Sequence, residues 1–186
     1  MSAAPEQPSP DDLEVVIGPM RRRHLRGVLK IEQQVYPRPW SLGLFMSELA
    51  YEESRVYLTA RLGGTVVGYG GLMCVLEDGH VTTIAVDPRW HRYKLGTRLL
   101  LALARGGIDE GAQNLTLEVR ASNRGAQALY QRFGFVPAGI RKGYYVETNE
   151  DAIVMWANDV DTPEYAQRLA AIESALPGAT ITEGRS

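Results

Sequence analysis

The sequence predicts a mixed α/β (α+β) fold, in which a mostly antiparallel, twisted sheet is flanked by helices. Two observations support this class. Residues 80–135 follow the pattern strand, turn, helix, strand, turn, helix, and a strand that returns through a helix favours a parallel pair. Elsewhere, β-branched runs meet at short turns, at Gly63-Gly64 and at Thr148-Asn149, which favours antiparallel hairpins.

The first strand-turn-helix unit begins with a β-branched strand over residues 80–86 and turns at Pro88, which cannot continue a strand ladder. Apolar residues then recur at helical spacing from Leu95. Backbone N–H groups at the start of a helix lack partners within it and carry the positive end of its dipole. With Arg92 and Lys94 close by, this junction suits a diphosphate, although basic turns are more often only solvated.

The second unit carries candidate catalytic groups. Residues 114–119 alternate apolar and polar side chains, so Glu118 lies on the face opposite the leucines. Asn123 stands at the N-cap of the next helix, whose apolar stripe includes Tyr130 and which Gly134 ends in a left-handed conformation. The residues alone favour a salt bridge to a basic side chain such as Arg120 for Glu118, and plain core packing for Tyr130.

Three parts are expected along the chain. Residues 1–12 are rich in proline, serine and acidic residues and are predicted to be a disordered tail. Residues 13–160 form the main domain. Residues 161–186 form an extension, with one helix carrying apolar residues at helical spacing and a final stretch that trails off without structure.

A rigid, proline-rich segment over residues 36–40 separates the first two helices, because proline fixes its own φ and restricts the preceding residue. Ser41 is expected to cap the second of these helices. Its inner face is predicted to carry Leu42, Phe45 and Leu49.

Composition excludes several classes of protein. A chain of 186 residues suits one domain with a substantial core, and a net charge of −2 gives no general attraction to nucleic acid. The single cysteine, Cys74, allows no internal disulfide, which fits a reducing cytoplasm. The three histidines share no metal-ligand spacing, so no metal site is predicted. No stretch approaches the roughly 20 apolar residues of a membrane-spanning helix.

Two segments resemble a known family. IAVDPRWHRYKLGTRLL resembles the acetyl-CoA-binding motif of the GNAT superfamily of N-acetyltransferases, and LEVRASNRGAQALYQRFGF is similar to the segment that follows it in the RimI type. The RimI type comprises bacterial ribosomal-protein alanine N-acetyltransferases. The resemblance covers roughly residues 13–156. It implies a sheet in which the parallel strands ending near Val86 and Val119 splay apart to admit acetyl-CoA.

The cofactor loop departs from the family pattern Gln/Arg-x-x-Gly-x-Gly/Ala. The leading position is His91, the first glycine is Lys94, and only Gly96 is retained. Lysine lacks the freedom of glycine at positive φ. We therefore expect a helical conformation at Lys94 with its charge directed at the phosphates; the alternative is weakened cofactor binding.

The resemblance also implies a set of site residues. Glu118 is implied as the general base and Tyr130 as the acid that protonates the departing thiolate. Cofactor contacts are implied for Ile84, Ala85, Val86, Arg92, Tyr93, Lys94, Leu95, Gly96, Thr97 and Asn123. Contacts with the acceptor are implied for Tyr36, Trp40, Arg141, Tyr144 and Tyr145. Because adjacent residues of a strand point to opposite faces, only one of the last two tyrosines is expected to reach the substrate.

The function that the resemblance implies is acetyl transfer from acetyl-CoA to a protein N-terminal α-amine, with the alanine of a ribosomal protein as the implied acceptor. The expected partner is thus a protein or peptide, with no direct contact to nucleic acid or membrane and no metal. Two alternatives stay open. One is a small amine or a lysine side chain as acceptor, and the other is a non-catalytic acyl-CoA-binding module with a degraded loop at Lys94. The sequence does not decide the oligomeric state.

Overall fold

The computed structural model describes residues 7–184 and contains, over that range, eight strands and five α-helices. The strands are β1 (Glu14–Pro19), β2 (Arg55–Leu62), β3 (Thr65–Val75), β4 (Asp78–Val86), β5 (Asn114–Arg120), β6 (Val136–Tyr145), β7 (Glu150–Ala157) and β8 (Ala179–Thr182). The helices are α1 (Leu25–Val35), α2 (Leu42–Leu49), α3 (Leu95–Asp109), α4 (Arg124–Arg132) and α5 (Pro163–Ser174).

The strands form one sheet in the order β6-β7-β5-β4-β3-β2-β1-β8. Its neighbours are antiparallel except for the β4–β5 and β1–β8 pairs, so the predicted mixed, mostly antiparallel α/β fold is confirmed. The β4–β5 pairing ends at His80 and Thr116. Beyond this point β4 continues to Val86 and β5 to Arg120 without pairing to each other. The two parallel strands therefore splay, as expected, and leave an opening between them.

Apolar side chains bury both faces of the sheet. On one face, α3 packs through Leu99, Leu100 and Leu103 against strand residues such as Leu115, and α5 joins the same core. The other face is covered by α1 and α2. Because the periodicity of α3 places leucines all round its sheet-facing side, this helix packs on strands β2, β3 and β4, which fixes its own N-terminus at the opening.

Helix α2 is capped as predicted, because the Ser41 hydroxyl accepts a hydrogen bond from the Leu44 N–H at 3.2 Å. The prediction for its inner face was wrong at Leu42, which is 52% exposed. The helix packs through fully buried Phe45 and partly buried Leu49, and Leu42 begins it outside that contact.

Both ends of the described chain are more ordered than expected. Pro10–Asp12 forms a short 3-10 turn, and residues 1–6 of the predicted tail lie outside the described residues. The prediction that the C-terminal stretch trails off was wrong, because β8 pairs in parallel with β1 from Ala179 to Thr182. Its β-branched residues complete the edge of β1, which would otherwise expose unpaired backbone groups. The domain boundaries proposed from the sequence stay predictions.

No helix within residues 7–184 is both long enough and apolar enough to cross a bilayer.

Candidate active site

Glu118 lies at the mouth of the opening between β4 and β5. Its side chain is only 11% exposed, and its Oε2 lies 2.6 Å from Nε2 of His80. Its Oε1 lies 3.5 Å from the guanidinium of Arg141. The parallel register explains the first contact, because His80 pairs with Thr116 and so stands beside the residue two positions further along β5. A nearly buried carboxylate with an imidazole and one cation is thus presented to the opening.

The sequence favoured a salt bridge from Glu118 to Arg120 or another basic side chain; the basic partners are His80 and Arg141, and Arg120 is not among them. Arg120 instead pairs with Glu147 at 2.6 Å and Glu150 at 3.5 Å, and its guanidinium lies 3.9 Å from the ring centroid of Tyr145. Arg120 is therefore occupied at the β6–β7 end of the site. Sequence reasoning missed His80 as the neighbour of Glu118, because only the strand register brings the two together.

Three tyrosine hydroxyls lie around the opening. The Tyr36 hydroxyl donates a hydrogen bond to the Ile84 carbonyl at 3.2 Å, and burial raises its pKa. Burial, with smaller contributions from Tyr36 and Tyr145, raises the pKa of Tyr130 well above its usual range. Burial also raises the pKa of Tyr145 to about 12, against the opposing effect of Arg120. All three hydroxyls consequently stay protonated at neutral pH and can act as hydrogen-bond or proton donors.

Tyr144 and Tyr145 do not lie in a regular stretch of strand, as their expected placement on opposite faces assumed; that only one of them reaches the substrate stays a prediction. Their ring centroids are 5.1 Å apart in an edge-to-face contact. Gly143 takes a positive φ of 58°, and the β6–β7 register is broken between Arg141 and Tyr145. This irregularity turns both rings to one side. Tyr144 is 44% exposed beside Arg141. Tyr145 is half-buried, and the charge of Glu118 contributes to raising its pKa.

The segment between α1 and α2 forms the facing wall. The Trp40 N–H donates to Oε1 of buried Glu32 at 2.9 Å, and the Trp40 ring packs at 5.3 Å from that of Phe45. Burial raises the pKa of Glu32, partly offset by the Trp40 N–H. The pKa of Glu147 on the β6–β7 turn is lowered chiefly by a backbone N–H and by Arg120, and Arg38 on the α1–α2 segment adds a weak electrostatic contribution.

The cofactor loop differs from the expectation at Lys94. Its φ of 57° and ψ of 30° are left-handed, not helical. The reason is geometric: the chain must turn between the 3-10 segment Pro88–Tyr93 and α3, and the residue at that junction takes the conformation that glycine would supply. For lysine this conformation costs about 1–2 kcal/mol.

The start of α3 has the groups that an anion requires. No side chain caps it, and the side chains of Arg92 and Lys94 are exposed beside it. At Gly96, an added Cβ would meet nothing closer than the Leu129 side chain at 3.6 Å, so the backbone there is accessible. These unpaired N–H groups and two cations fit a diphosphate.

The other residues implied in cofactor binding differ in which of their groups a ligand can reach. The side chains of Ala85, Tyr93, Leu95 and Thr97 are buried, so only their backbone groups can face a ligand. Ile84 and Val86 lie on the part of β4 that β5 leaves unpaired. The Asn123 side chain caps α4 by accepting a hydrogen bond from the Ala126 N–H at 3.0 Å. Among residues 7–184, no group of three or more His, Cys, Asp or Glu side chains is placed to hold a metal ion.

Comparison with known proteins identifies this arrangement. The acetyltransferase (GNAT) family model matches residues 25–135, which include the opening, the α3 junction and α4. The chain belongs to the GNAT acetyltransferase family. It is accordingly an N-acetyltransferase, and acetyl-CoA is the acyl donor of this family.

Two curated relatives and one solved structure are similar over most of the chain. A Bacillus subtilis protein named putative [ribosomal protein bS18]-alanine N-acetyltransferase is 37% identical over 137 residues, covering 74% of this chain and 91% of the relative. N-alpha-acetyltransferase RimI of Mycobacterium tuberculosis is 36% identical over 154 residues, covering 78% and 93%. The crystal structure of the ribosomal-protein-S18-alanine N-acetyltransferase from Escherichia coli has a TM-score of 0.71 and 34% identity, covering 78% and 94%.

Replacing the lysine of the loop tests its contribution. In Lys94→Gly we expect the affinity for CoA to fall about fivefold, because one cation is lost beside the diphosphate while the backbone conformation is retained. The dependence of this affinity on salt should weaken at the same time. Isothermal titration calorimetry at two ionic strengths measures both effects, and Lys94→Asn provides a second neutral residue that tolerates positive φ. A higher affinity in Lys94→Gly would mean that lysine impairs the loop.

Proposed function

We propose that this enzyme transfers the acetyl group of acetyl-CoA to the N-terminal α-amine of a protein in the cytoplasm, and that the acceptor is the N-terminal alanine of a ribosomal protein. The observation that carries the chemistry is the nearly buried carboxylate of Glu118 at the splay of β4 and β5, close enough to Tyr145 to affect its pKa. The names of the relatives support the acceptor, since both the Bacillus subtilis and the Escherichia coli proteins are named for alanine of a ribosomal protein.

The donor substrate fits the opening. Residues 81–86 present a strand edge that β5 does not pair, and such an edge suits the amides of a pantetheine arm in the manner of an added strand. The α3 N-terminus with Arg92 and Lys94 suits the diphosphate. Asn123, at the start of α4, follows β5 and so borders the same opening on the β5 side.

Proton removal from the acceptor is assigned to Glu118. A free α-amine has a pKa of about 7.7–8.0, so a large fraction is protonated at neutral pH and must lose a proton before attack. The carboxylate accepts that proton directly or through one water. Its contacts with His80 and Arg141 hold the carboxylate in place at the splay.

Protonation of the leaving group is assigned to Tyr130. The thiolate of the donor has a pKa near roughly 8.5, by analogy with cysteine, and departs more easily when a donor protonates it. The Tyr130 hydroxyl is protonated across the pH range in which the amine reacts, so it can donate to the sulfur as negative charge develops there. Tyr145 contributes a further donor for the charge that develops on the carbonyl oxygen.

The acceptor is assigned to the cleft between the two facing walls. One wall carries Tyr36 and Arg38, and the other carries Tyr145 and Glu147. A narrow cleft with aromatic walls suits an extended N-terminus with a small first side chain. A lysine side chain or small amine remains the second acceptor class. The nearly buried carboxylate of Glu118 and the protonated hydroxyl of Tyr130 support a catalytic protein over a non-catalytic module.

Removing the proposed base should slow the reaction without weakening cofactor binding. For Glu118→Gln we expect kcat/KM to fall about 10²-fold or more at neutral pH, the usual scale for loss of a general base. The Kd for CoA should stay within about twofold of wild type. Steady-state kinetics between pH 6.5 and 9 provide the measurement, with Glu53→Gln on an exposed loop as the control. Full activity of Glu118→Gln over that range would restrict Glu118 to a structural role.

The acceptor assignment is tested with peptides that differ in one feature at a time. An alanine-initiated peptide should be acetylated on its α-amine, and blocking that amine in the same lysine-containing peptide should abolish product. Tyr145→Ala should reduce turnover of the alanine peptide strongly, because positioning contributes several kcal/mol to a bimolecular step. Tyr145→Phe, which keeps the wall, should retain more activity. Undiminished acetylation of the blocked peptide at lysine would overturn the α-amine assignment.

A further inference from the structure

Arg98, in the first turns of α3, is a buried cation without a counter-charge. It is 2% exposed, and desolvation lowers its pKa. Its Nη1 donates to the Thr180 hydroxyl at 2.5 Å, its Nη2 donates to the Pro177 carbonyl, and its Nε donates to the Tyr93 carbonyl at 3.3 Å. Among residues 7–184, no carboxylate lies within ion-pair distance of Arg98. All three acceptors are neutral.

Burying an unpaired charge is costly, and core positions are normally filled by apolar residues instead. Arg98 occupies a helix position next to Leu99 and Leu100, which are fully buried in the core. An apolar residue there would pack without this cost. The hydrogen bonds that Arg98 makes therefore need an explanation beyond packing.

The position of the Arg98 hydrogen bonds supplies that explanation. The Arg98 N–H donates to the Lys94 carbonyl at 3.0 Å, while its side chain returns to the carbonyl of Tyr93. Arg98 thus contacts the two peptide units that flank the Lys94 Cα, the first through its side chain and the second through its backbone N–H. Lys94 is the residue held in a left-handed conformation, which lysine disfavours. Support from outside the loop is what keeps such a residue in place.

The residues that hold Arg98 come from the C-terminal segment, which we define as α5, β8 and the turn between them. This segment is anchored independently of Arg98. Arg105 on α3 pairs with Glu173 at 2.7 Å, and the Tyr165 hydroxyl donates to the Phe133 carbonyl at 2.8 Å. At Gly178, with a φ of 67°, an added Cβ would lie 2.4 Å from the Leu13 carbonyl oxygen. The turn is therefore packed tightly against the start of β1.

The beginning of the described chain reaches the same place. The Tyr93 hydroxyl donates to the Pro8 carbonyl at 2.7 Å, and its ring packs 5.2 Å from that of Trp90. The beginning of the described chain thus contacts Tyr93 directly, whereas the C-terminal segment reaches it through Arg98. Neither end lies within residues 25–135, the range that matches the family model.

We propose that the C-terminal segment positions the cofactor loop: Pro177 and Thr180 hold the Arg98 side chain, and Arg98 holds the Tyr93 carbonyl so that Lys94 keeps its left-handed conformation. Arg98 and Thr180 are then positioning residues for the enzyme. The inference rests on the proposed function, in which the start of α3 takes the diphosphate of acetyl-CoA. Without this support, the loop samples other conformations, and binding must restore the productive one at the expense of affinity.

The test uses an isosteric substitution with a matched control. Thr180→Val keeps the shape of the side chain and removes the acceptor for Arg98, whereas Thr180→Ser keeps the hydroxyl. We expect Thr180→Val to raise the Kd for CoA and the KM for acetyl-CoA about tenfold, the scale of one lost charge-assisted hydrogen bond. The KM for the acceptor peptide and kcat at saturating acetyl-CoA should not change. Thr180→Ser should behave as wild type.

A double-mutant cycle distinguishes positioning from general destabilisation. Glycine adopts the left-handed conformation without support. The effect of Thr180→Val on the Kd for CoA should therefore largely disappear in a Lys94→Gly background. Val28→Ala, which opens a cavity on the opposite face of the sheet, serves as the stability control. It should lower the Tm at least as much as Thr180→Val and leave the Kd for CoA unchanged.

Three results would overturn the inference: an unchanged Kd in Thr180→Val, an equal loss of affinity in the Lys94→Gly background, or an equal loss in Val28→Ala. A wild-type enzyme that binds no CoA would instead overturn the proposed function on which the inference rests. Binding of CoA by wild type with the selective loss in Thr180→Val supports both.

Discussion

The early end of the β4–β5 pairing is the constraint on which the rest of the site depends. The two parallel strands pair through His80 and Thr116 and then part. A parallel pair needs helices to return the chain, so α3 and α4 follow these strands and their N-termini lie at the same end of the sheet. The splay leaves the last part of β4 unpaired on that side. An unpaired strand edge, an uncapped helix start and Glu118 are thereby brought to one opening.

Burial determines the chemistry at this opening. Tyr36, Tyr130 and Tyr145 all have raised pKa values, chiefly because their hydroxyls are desolvated. Glu118 has His80 and Arg141 as neighbours, while Arg120 is engaged by Glu147 and Glu150. The site therefore contains one carboxylate, the proposed proton acceptor, and protonated hydroxyls that can donate. Acetyl transfer to an amine requires both kinds of group, because a proton leaves the acceptor and another is needed at the thiolate.

Features that depend on local chemistry were predictable from the sequence. Ser41 and Asn123 cap helices, and Gly63 and Gly64 both take positive φ in the hairpin turn. Features set by distant parts of the chain were not. The conformation of Lys94 accompanies contacts with residues near both termini, and the His80–Glu118 contact follows from strand register. Strand β8 was missed because a run of four residues is too short to indicate a strand by itself. Its formation depends on the edge of β1 with which it pairs.

The central claim is that acetyl-CoA binds at the splay of β4 and β5. Amide hydrogen exchange with and without CoA tests this claim most directly, because the protein also has a second cavity as an alternative binding site. That cavity, of about 390 Å³, lies between α3 and the β1, β2 and β8 strands, away from the splay. The account predicts that CoA slows exchange at residues 95–97 and at those amides of residues 81–86 that face the opening. Protection confined to the α3–β8 cavity, with residues 81–86 and 95–97 unchanged, would contradict it.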